Sequence, residues 1–189
     1  RDSSGKPVSV HGTIQDVTAS KLTEQMLKQY NDHLEELVEE ARWMAAQGVK
    51  ELIVIAQDTT RYGIDLYGEP RLRQLLEALC AVEGIRWVRT LYCYPEMVDE
   101  KLLAVMAREP KLCKYLDIPM QHADDEVLSA MNRHSTAIQM ERLMADIGSL
   151  PVTFALRTTV IVGFPGESRE AFGRLMEFIR RHPFDHLGA

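Results

Sequence analysis

The sequence predicts an α/β fold, a partial parallel barrel of TIM-like type, preceded by a strand and one long amphipathic helix. Three observations predict it. From residue 51 onward, short apolar runs of strand length alternate with amphipathic helical stretches, the pattern of parallel strands joined by right-handed helical crossovers. Ahead of them stand one alternating segment and one heptad stripe. Polar clusters then recur where three of the strands end, the place where parallel α/β folds collect ligands.

The elements follow in order. Residues 7–17 alternate, with Val8, Val10, Gly12 and Ile14 on one side and Ser9, His11, Thr13 and Gln15 on the other, so a strand is expected. Thr18 or Ser20 offers a helix N-cap. Leu27, Tyr30, Leu34, Leu37, Ala41 and Met44 then follow the alternating three-and-four spacing of a packing seam until Gly48 supplies a stop. A helix of about 28 residues would span roughly 42 Å, so its first half should project from a compact domain. Strands are expected over 51–56, 87–92, 115–118 and 152–162, and helices over 71–82, 99–108, 125–131, 137–148 and 168–181. A polar loop over 59–70 and a Gly-rich turn over 163–166 complete the series.

At 189 residues and 46% hydrophobic content the chain can bury a substantial core. A net charge of -6 disfavours a nucleic-acid surface. No apolar run reaches the roughly 18 to 20 residues of a membrane helix, and the start has no secretory core, which reads as cytoplasmic with no membrane partner. Both ends read as cut. The only cysteines, Cys80, Cys93 and Cys113, lie far apart without any CxxC or CxxxCxxC spacing. They indicate neither a disulfide framework nor a metal site.

The polar clusters after three strands are Gln57-Asp58-Thr59-Thr60, Pro119-Met120-Gln121-His122 and Gly163-Phe164-Pro165-Gly166-Glu167. In a parallel barrel all three face one rim. Glycines flanking Phe164-Pro165 let main-chain groups approach a flat ring such as a purine. The preceding strand puts Arg157, Thr159 and Ile161 on one face, and an Arg at a barrel mouth calls for a carboxylate or phosphate. Each cluster alone has an ordinary reading. Gly-x-Pro-Gly is a common turn, Arg157 can pair with Asp117 or Glu167, Gln57-Asp58 can cap the next segment, and His122 can be structural.

Residues 37–188 resemble the radical S-adenosylmethionine (SAM) methylthiotransferases, in particular the RimO-like branch. The matching segments are IAQDTTRYG over 55–63, DLYG over 65–68, LYCYP over 91–95, DIPMQH over 117–122 and RTTVIVGFPGE over 157–167. The resemblance implies a radical-SAM barrel that binds SAM beside a 4Fe-4S cluster and methylthiolates an aspartate of small-subunit ribosomal protein S-twelve. It implies that Gln57 and Asp58 lie near the methionine end of SAM, Gln121 and His122 near the ribose, and Arg157 near the carboxylate. Gly163, Phe164, Pro165, Gly166 and Glu167 would frame the adenine, and Arg61, Tyr62 and Tyr67 would meet the protein substrate. No catalytic side chain and no metal ligand is assigned.

The cluster of that family needs cysteines spaced CxxxCxxC, which this chain lacks. Residues 1–36 instead resemble the last strand and linker helix of a PAS domain, on DSSGKP over 2–7 and GTIQDVT over 12–18. The expected division is therefore a PAS-like segment over 1–36 and an incomplete radical-SAM barrel over 37–189, catalytically silent for want of cluster thiolates. Two other readings compete: a signalling module that forms a homodimer through the Leu27 to Met44 seam, and a methylthiotransferase acting on tRNA.

Overall fold

The computed structural model describes residues 33–189. The strand expected over 7–17, the N-cap at Thr18 or Ser20, the first half of the long helix and residues 1–32 of the PAS-like segment lie outside the described residues. The described part of that helix, α1, covers 33–46. It stops where expected, with Gly48 at φ 92 and its amide bonded to the Ala45 carbonyl.

After α1 the elements are β1 (Glu51–Val54), a 3-10 turn (Thr59–Arg61), α2 (Ile64–Tyr67), α3 (Leu72–Cys80) and β2 (Trp87–Thr90). A second 3-10 turn (Pro95–Met97), α4 (Glu100–Arg108), β3 (Tyr115–Asp117), α5 (Asp125–Ala130) and α6 (Ala137–Gly148) follow. The chain closes with β4 (Ala155–Thr159), α7 (Arg169–Arg181) and β5 (His186–Gly188).

All pairings among these strands are parallel: β1 with β2, and β3 with β4 and β4 with β5. The two groups join along β2 and β3. Val88 bridges Leu112, and at the other end the Cys93 amide donates to the Asp117 carbonyl at 2.8 Å. The result is one curved sheet whose strands run in chain order, which is the open half of a parallel barrel.

The helices cover only its convex side. Leu72, Leu75, Leu76 and Leu79 of α3, Leu102, Leu103, Val105 and Met106 of α4, and Met140, Leu143, Met144 and Ile147 of α6 are all buried. They pack on Leu52, Val88, Leu116, Leu156 and Val160, the alternate residues of the strands. The other alternation faces outward from this core. Ile53, Arg157 and Ile161 are exposed and Arg89, Tyr115 and Thr159 half-buried along the concave side.

The described part of the heptad stripe is used within the chain. Ala41 is buried, and Leu34, Leu37 and Met44 pack against the same core. Over these residues the seam packs within the chain, with Leu34, Leu37 and Met44 still partly exposed.

Candidate functional site

Parallel strands bring the carboxyl ends of β1 to β4 to one rim, and short hydrogen bonds tie them there. After β1, Asp58 caps the first 3-10 turn by accepting the Thr60 amide at 3.0 Å. Thr59, buried beneath, donates its hydroxyl to the Leu91 carbonyl at 2.8 Å, and its amide reaches the Tyr92 carbonyl at 3.1 Å. Thr90 donates to Thr59 Oγ1 at 3.1 Å, and Cys93 Sγ lies 3.6 Å from the same oxygen. This buried threonine and cysteine cluster holds Tyr92 at φ 57, a left-handed conformation unusual for a tyrosine.

The end of β3 is shaped by Pro119, which has no amide to give the ladder. The Thr158 hydroxyl fills the gap, donating to the Ile118 carbonyl at 2.8 Å and accepting from the Met120 amide at 3.3 Å. The chain then turns tightly. Gln121 adopts φ 69, and the His122 amide reaches back to the Met120 carbonyl at 2.8 Å. Beyond this turn pairing resumes, with the Gln121 amide on the Thr159 carbonyl at 2.9 Å and the Ile161 amide on the Gln121 carbonyl at 2.7 Å.

His122 is fully buried, and both ring nitrogens have protein partners. Nδ1 accepts the Asp124 amide at 3.1 Å, so the ring proton sits on Nε2 and points at Glu167 Oε1, 3.2 Å away. Glu167 in turn closes the turn after β4, accepting the amides of Gly163 and, at 3.2 Å, Phe164. Burial acts to raise its carboxyl, but His122 and the two amides outweigh it and hold Glu167 below its ordinary value. Gly163 and Gly166, at φ 73 and 92, need the left-handed freedom of glycine, and a Cβ at either would meet nothing within 4 Å. Open space therefore lies over the backbone of this turn.

Arg157 stands on the concave side with its side chain 52% exposed, its Nε 3.8 Å from Asp117 Oδ1. The phenol of Tyr115 and the carboxylate of Asp117 both favour its charged form. Behind Tyr115, the Arg89 guanidinium stacks 5.0 Å from the ring centroid and donates to Glu51 Oε1 at 2.7 Å. A row of charge and phenol thus crosses the open face from β1 to β4.

Of the residues singled out in the sequence, Gln57, Asp58, Gln121, Arg157 and the segment 163–167 all lie at this rim or just beneath it. His122 and Glu167 meet directly, but they hold the rim together from inside and offer no free polar edge to a ligand. Arg61 and Tyr62 lie in the loop after β1, Arg61 exposed and the Tyr62 ring stacked on His33 at 6.2 Å. Tyr67 closes against Gly63, whose φ of 91 no larger residue would share comfortably.

Among the described residues no helix is long and apolar enough to cross a membrane, and no three His, Cys, Asp or Glu side chains gather as a metal site. Comparison with known proteins gives a match to the Radical SAM superfamily over residues 13–179. The curated ribosomal protein uS12 methylthiotransferase RimO of Alkaliphilus oremlandii is 51% identical over 155 residues, 82% of this chain and 35% of that protein. The proteins of the same name from Desulfitobacterium hafniense and Flavobacterium johnsoniae are 48% and 49% identical over 155 residues. The chain spans about a third of the length of these relatives. Among solved structures, coproporphyrinogen III oxidase (HemN) of Escherichia coli, a radical SAM enzyme, superposes over 86% of this chain and 37% of that one, with TM-score 0.59 at 19% identity. That likeness supports the half-barrel architecture. With a family match across most of its residues, laid on a parallel half-barrel with a polar rim, the chain belongs to the radical SAM superfamily.

Proposed function

We propose that this chain is the SAM-binding part of a radical SAM methylthiotransferase that modifies an aspartate of ribosomal protein uS12. The observation that carries the reading is its high identity to proteins named RimO. A tRNA substrate has no comparable support, and the acidic balance of the chain opposes it. The same reading makes ribosomal protein uS12 the partner and the cytoplasm the place of action.

The family uses SAM and a 4Fe-4S cluster. The rim fits the first. Arg157 presents an exposed guanidinium for the carboxylate, and the uncovered backbone at Gly163 and Gly166 gives an aromatic base room to lie close. Ile161 and Val162, 42% and 48% exposed, supply apolar area beside it. Gln57, Asp58 and Gln121 stand at the neighbouring strand ends. Within this arrangement His122 and Glu167 fix the shape of the turn, and Arg157 orients the amino-acid end. Bound there, SAM would be the radical source of the family's chemistry, with the electron coming from the family's cluster. On this reading Arg61, exposed on the loop after β1, meets the protein substrate, and Tyr62 and Tyr67, whose hydroxyls are buried, shape that loop.

The thiols of this chain do not fit the cluster. Cys80 and Cys93 are buried, Cys113 is half-buried, and no three ligating side chains gather among the described residues, whereas a four-iron cluster is held by several thiolates together. We infer that the chain by itself is catalytically silent. Anaerobic reconstitution with iron and sulfide tests this. It should leave no stable four-iron cluster and no SAM cleavage, and a chain that took up four irons and cleaved SAM would overturn the inference.

The proposed division places an incomplete barrel core over 37–189. The comparisons lend the PAS-like reading of 1–36 no support, and the family match crosses its boundary.

A further inference from the structure

β1 forms one border of the curved sheet, and among the described residues it pairs only with β2. The carbonyls of Lys50 and Val54 accept the Trp87 and Leu91 amides at 3.0 and 3.1 Å, so the main-chain groups of the even-numbered residues are spent on β2. In a parallel ladder the alternate residues face the other way, which turns the amides and carbonyls of Glu51 and Ile53 to the outer edge. A groove of about 260 Å³ runs along that edge. All four residues of β1 line it although their side chains alternate between the two faces, so it follows the border of the sheet and lies on neither face. Leu37, Ala41 and Met44 of α1 roof it on the convex side. An open strand edge beside an apolar wall is a template for one more strand.

The way α1 enters the fold points to the occupant. α1 leads into β1 as α3 leads into β2, and a helix so placed joins two parallel strands through a right-handed crossover. Its described part begins at the rim, where the His33 ring stacks on Tyr62 in the loop after β1, and ends at Gly48 just ahead of β1. A strand parallel to β1 ends at that same rim, and residues 15–32 are the chain that would connect it to His33. Upstream stands the alternating stretch over 7–17, with Val8, Val10 and Ile14 on one side and Ser9, His11 and Thr13 on the other. The match to the Radical SAM superfamily begins at residue 13, inside this stretch and ahead of α1. We propose that residues 8–14 dock in the groove as a strand parallel to β1, with their main chain bonded to Glu51 and Ile53 and with Val8, Val10 and Ile14 turned to Leu37, Ala41 and Met44. The open edge is then covered from within the chain, whatever ligand the rim takes.

The test is nuclear magnetic resonance of the isotope-labelled 189-residue chain. Nuclear Overhauser contacts should link backbone protons of 8–14 with those of 51–55. The Ile53 amide should exchange about 10-fold or more below the rate of an unbonded amide, the scale of one backbone hydrogen bond. Val10→Asp sets a charge against α1 and should remove that protection, while the amides of Leu52 and Val54, turned to β2, keep theirs. Ser9→Asp sets the same charge on the other side of the strand and should change exchange at Ile53 by less than about 2-fold. A wild-type chain without contacts between the two stretches, or with Ile53 exchanging as an unbonded amide, overturns the proposal, and so do equal effects of the two variants at Ile53. In a mixture of labelled and unlabelled chains, contacts that cross between copies and fade on dilution assign the edge to a second copy and overturn docking within the chain. Should Val10→Asp unfold, the wild-type contacts alone decide between these results.

Discussion

Replacing Glu167 by Gln should destabilise the chain by about 2–3 kcal/mol at pH 7, a figure set by what its carboxylate holds. Two backbone amides, Gly163 and Phe164, and the Nε2–H of His122 converge on its two oxygens. The side chain is 5% exposed and that of His122 fully buried. A carboxylate accepts from all three. A glutamine offers one acceptor oxygen and turns an NH2 toward the remaining donors, so at least one buried N–H loses its partner. Hydrogen bonds to charged groups contribute about 1.5–3 kcal/mol net, and an orphaned buried donor costs about 1–3 kcal/mol. Some of the loss is offset because Gly163 is exposed and can turn to water.

The pH dependence gives a second, independent reading. Glu167 is held below the ordinary 4.5 in the folded chain. A group with a depressed folded value contributes stability that is fully present above its unfolded value and is lost as pH falls through the folded one. The difference between wild type and Glu167→Gln should therefore be constant from pH 7 down to about 5.5 and shrink below about 4.5. Urea unfolding across that range measures it, and thermal scans at pH 7 should show a drop of about 4–10 °C. A difference under about 0.5 kcal/mol at pH 7, or one that stays flat into acid, would refute the role given to this carboxylate.

Four further substitutions test other parts of the architecture. Lys114→Met should lose about 2–3 kcal/mol in urea unfolding, because the Lys114 ammonium donates to the carbonyls of Met106, Glu109 and Leu112 at 2.6, 2.7 and 3.2 Å and so closes the end of α4. Gly63→Ala should cost about 2 kcal/mol or more, since its Cβ would stand 2.7 Å from Tyr67 Cδ2 and 2.9 Å from Arg71 Cβ. Gly68→Ala, at φ 73 with open space around it, should cost only about 1 kcal/mol, and equal losses at the two glycines would contradict the packing assigned to that loop. Tyr92→Gly should leave stability unchanged or raise it by up to about 1 kcal/mol in the same assay, while a loss above about 1 kcal/mol would deny the strain at that residue.

The helices were legible because their apolar residues repeat on one face: α6 matches its expected bounds, and α3, α4, α5 and α7 each fall within one or two residues of theirs. Strands were legible as apolar runs but read too long. The stretch expected over 152–162 pairs regularly only over Ala155–Thr159. Its last residues bend into the rim, where Val160 and Ile161 meet the turn at Gln121. The short helix α2 hid between Gly63 and Gly68, whose turn chemistry reads as loop. β5 was missed because three residues beginning with a histidine carry no periodicity.

At the site, strand order alone predicted that the segments around residues 57, 121 and 163 would share an edge. Local pattern held no trace of the pairing of His122 with Glu167, which are 45 positions apart. Nor could it show that Pro119 and Thr158 between them set the turn that buries His122. The left-handed backbone of Tyr92 was equally silent, since it comes from Thr59 on a neighbouring segment and from no feature of the LYCYP run itself.

Hydrogen exchange of the full chain with and without S-adenosylhomocysteine would locate the ligand directly. Slowed exchange should concentrate at amides of 119–123 and 157–167, with a smaller effect at 57–58. Binding accompanied by protection elsewhere, for example in the groove between α4 and α6 lined by Glu96, Lys101 and Arg142, would contradict the placement of the cofactor at the rim.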